Sequence, residues 1–180
     1  MLKITIPESE MFDEKVGEFI YVKEQTLQLE HSLLSLSKWE SKWHKPFLGL
    51  EEKTMEETID YIRCMTLTQN VDPNVYRVLS NENIKAINEY IKDPMTATTF
   101  SNDTNQSGGK EIITSEILYY DMIGFGIPFE CQKWHLNRLV TLIRVCSIKQ
   151  NPPKKMSKGD IMRRNADLNA ARKQRMNTKG

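Results

Sequence analysis

Cys131 and His135 stand four residues apart in a stretch with helical spacing, so both side chains could reach one ion, while His44 and Cys64 lie elsewhere in the chain. A structural zinc site needs two close ligand pairs, such as C-x2-C with H-x3-H, and this sequence has one. The expected arrangement is a packed thiol beside a partly exposed imidazole, with no metal or other cofactor. Nucleophilic catalysis would need a Ser or Cys near a base and an orienting acid. Of the three histidines, His31 sits in a Leu-rich run, His44 follows a tryptophan, and none lies in a nucleophile motif. Glu51-Glu52 and Glu56-Glu57 are paired carboxylates, but at the start of a helix such groups complement the helix dipole. No glycine-rich phosphate loop occurs, and Gly108-Gly109 reads as a turn in a polar stretch. The expectation is a protein that is not an enzyme.

A different chemistry is suggested by Ser37 to Phe47, where Trp39, Trp43 and Phe47 are interleaved with Lys38, Lys42, His44 and Lys45. Tryptophan buries a large area wherever it packs, so Trp39, Trp43 and Trp134 each read first as core. Aromatic anchors inside a polar rim are also what a protein-binding patch requires, which makes Trp39, Trp43, Phe47 and Lys42 the leading contact surface. The second candidate surface is basic. Arg163, Arg164, Arg172, Lys173 and Arg175 dominate the last thirty residues. Residues 150–180 contain no aromatic ring to stack on a base, so the tail reads as a solvated helix or a docking arm for an acidic protein surface, another copy included, ahead of a nucleic-acid binder.

Charge separates the chain in the same place. Residues 1–149 carry 16 basic and 22 acidic side chains, net −6, and residues 150–180 carry 9 and 2, net +7. The predicted organisation is an acidic α+β body over 1–149 and a basic helical tail over 150–180. A chain of 180 residues buries roughly seventy per cent of its unfolded surface, so no staple is needed for stability. Three widely spaced cysteines, Cys64, Cys131 and Cys146, fit reduced thiols in a cytoplasm better than a disulfide framework. No apolar run approaches the roughly 20 residues that span a bilayer.

The elements expected to position these residues can be read from periodicity. Leu2, Ile4 and Ile6 alternate with polar residues, and Phe19 to Val22 forms a second β-rich run, which predicts a hairpin turning around Asp13 to Gly17. The run Thr26 to Trp43 is too apolar for a solvated loop and becomes helical towards Trp39 and Trp43. Thr54 to Glu57 is a capping box that opens a helix over about 55–66. Asp72-Pro73 opens a short helix through Leu79, and Ile84, Ile87 and Ile91 mark another that stops before Asp93-Pro94. Thr96 to Thr114 predicts a hairpin or an excursion loop with a polar segment at 101–110. Helical texture returns around Ile117 to Met122, and Pro128 opens a long stretch in which Leu136, Leu139, Val140, Ile143 and Cys146 recur at three and four residues, the predicted core helix. Pro152-Pro153 ends it, and a basic C-terminal helix follows. The fold class is α+β, predominantly helical, with an N-terminal β-hairpin, about five or six helices and a projecting basic C-terminal helix.

The blocks LEHSLLSLSKWESKWHKPFL, DYIRCMTLTQNVDPNVY, DPMTATTF, IPFECQKWHLNRLVTLIRVC and PPKKMSKGDIMRRNADLNAARKQRMNTKG resemble proteins from the morphogenesis clusters of tailed bacteriophages and prophages, over nearly the whole chain. Among those, the chain looks most like proteins thought to be tail assembly chaperones. The resemblance implies a non-catalytic protein of the host cytoplasm that binds tape-measure protein, tail-tube protein or both, with self-association left open and no membrane partner. The alternatives it leaves are a structural virion component, such as a neck or tail-completion protein, and a nucleic-acid-binding phage regulator.

Overall fold

The computed structural model describes residues 1–13, 17–49, 51–100, 112–150 and 158–176. By contacts the chain divides into two compact units, Met1–Cys146 and Ser147–Gly180. The class is α+β and helix-dominated, with antiparallel strands at the N-terminus.

The first thirty residues make one long ribbon in two stretches. Strand β1 (Leu2–Ile6) pairs antiparallel with β4 (Gln25–Leu29), and β2 (Ser9–Asp13) pairs with β3 (Glu18–Val22). The register is continuous: Leu2 faces Leu29, Ile6 faces Gln25, Ser9 faces Val22 and Asp13 faces Glu18. Pro7, which has no N–H to give to a ladder, sits in the gap between the stretches. The hairpin is therefore longer than the two runs predicted. Residues 26–29, read with the helical run that follows, belong to β4, where Leu27 and Leu29 alternate into the core. Beyond β4 the edge is extended by Thr66, which bridges to Leu29, and by Leu67, whose N–H donates to Gln28.

Among the described residues six helices follow: α1 (Leu33–Trp43), α2 (Met55–Met65), α3 (Asn81–Lys92), α4 (Ser115–Gly124), α5 (Leu136–Gln150) and α6 (Lys158–Met176). Short 3₁₀ turns occupy Pro73–Arg77 and Phe129–Lys133. Helices α1, α2 and α3 open on reciprocal capping boxes, Ser32 with Ser35, Thr54 with Glu57 and Ser80 with Asn83, each satisfying two orphan donors. Of these, the sequence reading named the Thr54 box. Residues 129–133 are not the first turn of α5, as the sequence reading had them. Residues 96–100 form no strand, and the predicted polar loop at 101–110 lies outside the described residues.

Two apolar clusters fill the first unit. One joins the ribbon (Ile4, Ile6, Val22, Leu27, Leu29) to α2 and α3 through Tyr61, Ile62, Met65 and Ile87. The other gathers α4 and α5 around Leu118, Met122, Leu136, Leu139 and Ile143. Helix α1 belongs to both, giving Trp39 to the first and Leu33 and Leu36 to the second. The central helix is thus α1, while α5 walls the second cluster. A helix shared by two cores must be apolar on more than one face, which blurs the single stripe that periodicity detects.

Candidate functional site

The aromatic cluster of the sequence reading is brought together, but inward. Trp39 is 1% exposed, and its Nε1 donates to the Glu57 carbonyl at 2.9 Å. Its ring stacks on Trp43 and meets Phe47 edge to face, and Phe47 in turn stacks on Tyr61 at 3.9 Å between centroids. Trp43 and Phe47 are half-buried, and Trp43 Nε1 donates to Asp60 Oδ2 at 2.9 Å. Lys42 pairs with the other Asp60 oxygen. Burial works to raise the Asp60 carboxyl, but hydrogen bonds from Lys42 and Trp43, with the charges of Lys42 and Arg63, bring it below the usual range. Trp39 is therefore core, enclosed in a lock between α1 and α2, while Trp43 and Phe47 stay half-buried and Lys42 exposed at the edge of that lock. Two of the lysines that seemed a polar rim in sequence, Lys42 and Lys45, are ion-pair partners, Lys45 Nζ donating to Glu57 at 2.8 Å.

Trp134, expected in the core, lies at the surface, 36% exposed, with the Arg138 guanidinium 4.2 Å from its ring centroid. Arg163, Arg164 and Arg172 are all exposed on α6. Nine residues make about two and a half helical turns, so Arg163 and Arg172 lie on opposite sides of α6 and form no single basic stripe.

The residues weighed for chemistry are held by other work. His135 accepts from the Asn137 N–H on Nδ1, which leaves Nε2–H to donate to the Tyr90 carbonyl at 3.0 Å. Cys131 is buried in the second cluster, and burial pushes the Cys64 thiol up, away from thiolate. Glu57 is buried in the α2 cap, and its hydrogen bond from Lys45, then that from the Thr54 backbone, keeps its carboxyl below the usual range. Among the described residues no group of three or more His, Cys, Asp or Glu is placed to hold a metal ion. Gly108 and Gly109 lie outside the described residues.

What the sequence reading missed is on the ribbon. Across β2 and β3, Met11 and Ile20 pack against the first cluster, and Asp13 is tied to Arg77 at 2.6 Å. With that face inward, the alternation turns Glu10, Phe12, Phe19 and Tyr21 outward. Phe12 and Phe19 are direct cross-strand partners with centroids 5.1 Å apart, and they are 51% and 73% exposed, with Tyr21 at 52%. Exposed Glu8 and Glu10 lie on the same side, Glu8 accepting from the Tyr21 hydroxyl. The signal was present in the alternation of 9–13 and 18–22 once both were paired around the turn. A second exposed apolar strip runs along α4, where Tyr120 and Ile123 share a face.

No protein-family model, curated protein or solved structure matches this chain. Among the described residues no helix is long and apolar enough to cross a membrane.

Proposed function

We propose that this chain is a non-catalytic phage tail assembly chaperone that binds tape-measure protein, tail-tube protein or both in the host cytoplasm. The observation that carries the reading is the Phe12, Phe19 and Tyr21 face, three large rings left in solvent on a ribbon whose other face is docked. Contiguous exposed apolar side chains rimmed by charge mark a place where another polypeptide is gripped. The acidic rim, with the −6 of residues 1–149, keeps such rings dispersed and favours partner segments that mix apolar anchors with basic side chains. The resemblance in sequence supplies the setting. The exposure of Phe12, Phe19 and Tyr21, against the enclosure of Trp39, favours the ribbon as the gripping surface for that same role.

The test is co-expression with tape-measure protein. The intact chain should raise the soluble yield of tape measure, and the double variant Phe12→Ser, Phe19→Ser should lose that effect while its melting temperature falls by no more than about 5 °C. An unchanged yield with the intact chain, or a double variant as effective as the parent, overturns the reading. Stoichiometric recovery of the chain from purified virions would replace it with a structural role.

A further inference from the structure

A cavity of about 150 Å³ opens between α2, α3 and the segment that follows α1, at a place the proposed chaperone role does not use. Its walls are Phe47, Tyr61, Ile62, Ile84, Ile87 and Ile91. The three isoleucines of α3 fall at intervals of three and four residues, one face of a helix turned towards the space. A cavity of about this volume lined by aliphatic and aromatic side chains takes up a molecule the size of benzene.

The polar groups at this cavity are few, and the one charged group is a cation. Lys53 holds its Nζ over the Phe47 ring, 4.4 Å from the centroid. No carboxylate oxygen of the described residues comes within 4.0 Å of that ammonium, in contrast to Lys42 and Lys45, which are both paired. Asn88, on α3, contributes an amide with no hydrogen bond to another described side chain or backbone group. Thr58 is already committed, its hydroxyl donating to the Thr54 carbonyl at 2.9 Å. An apolar slot with a cation at its lip, and no carboxylate of the described residues within ion-pair distance of it, fits one ligand chemistry.

We infer that this cavity is a binding site for a small monocarboxylic acid, with an aromatic or short branched tail of about six to nine heavy atoms, whose carboxylate accepts hydrogen bonds from Lys53 and Asn88 while the tail lies against Ile84, Ile87 and Ile91. Charge-assisted hydrogen bonds to a carboxylate are the strong ones, and here the ammonium is already partly desolvated. Burial holds the lysine below its usual pKa, with only the Glu57 charge acting to raise it, so an arriving anion restores the favoured charged form.

The experiment follows the isoleucine methyl signals of the whole chain by NMR during titration with phenylacetate and with its neutral isostere, phenylacetamide. Phenylacetate should shift the methyls of Ile84, Ile87 and Ile91 and saturate, and the amide should bind about tenfold more weakly or worse. Lys53→Met, which keeps the aliphatic stem and the fold, should weaken the acid about tenfold and leave the amide unchanged. Equal binding of acid and amide, an acid affinity untouched by Lys53→Met, or no methyl shift at all overturns the inference. Because Phe12 and Phe19 take no part, the outcome is independent of the chaperone test.

Discussion

His31 and His135 meet edge to face inside the first unit, their ring centroids 5.1 Å apart, where a bridge between Ser32 and His135 joins the start of α1 to the start of α5. Both are buried, and His31 Nδ1 lies in hydrogen-bond contact with the Tyr61 hydroxyl. Burial first, and the neighbouring His135 second, lower the His31 pKa from 6.5 to about 4. The unfolded chain therefore takes up a proton below pH 6.5 that the folded chain refuses until about pH 4. The contribution of His31 is full above pH 6.5, falls as the pH drops through that window and levels off below it, at a cost on the order of 3 kcal/mol. Urea midpoints of the parent and of His31→Gln, measured from pH 7 to pH 4, check this. The variant should start lower and lose less, and parallel losses would refute the assignment.

Glu40 performs a task no local rule assigns. Helix α4 opens without a side-chain cap from Thr114, and Glu40 Oε2, projecting from α1, accepts the Ser115 N–H at 2.7 Å while Oε1 accepts the Phe47 N–H at 2.8 Å. Glu40→Ala strands both donors and should cost about 1–3 kcal/mol, with Glu40→Gln costing less because one amide oxygen still accepts. Denaturant unfolding of both variants measures it, and equal losses would show that the one acceptor oxygen kept by glutamine contributes nothing.

Leu139 and Ile143 are buried on α5 against α4. Alanine at either position should cost on the order of 2 to 5 kcal/mol, since the removed methyl groups leave a cavity. A change within about half a kilocalorie, the usual surface effect, would mean that this face of α5 is not packed.

Two sets of aromatic residues should behave in opposite ways. Trp39→Ala removes a fully buried indole and its hydrogen bond to the Glu57 carbonyl, and a loss of about 3–5 kcal/mol is expected. Phe12→Ser or Phe19→Ser breaks one exposed cross-strand pair, worth about 1 kcal/mol at most. Thermal melting of the three variants separates them, and a comparable loss in all three would mean that the ribbon face is packed rather than free.

The class of fold, the Thr54 capping box, the break at Asp93-Pro94 and the helix carrying Leu136, Leu139 and Ile143 could all be read along the chain, because each rests on groups within a few residues of one another. The placement of Trp39 could not. Lys42, Trp43 and Lys45 look like the polar and aromatic parts of a surface until Asp60 and Glu57, from another helix, arrive as their partners. The boundary at residue 30 was equally hidden, since Leu27, Leu29, Leu33 and Leu36 are all apolar and only strand pairing tells the first two from the last two.

Sequence alone determined where helices start and stop and how charge is divided between body and tail, for these depend on neighbours along the chain. Which rings are enclosed and which are left in water was decided only by tertiary structure. A ribbon has two faces, and the contacts of Met11, Ile20 and Asp13 with distant residues chose the one that docks. The same three-dimensional pairing left Lys53 without a carboxylate while its neighbours found theirs.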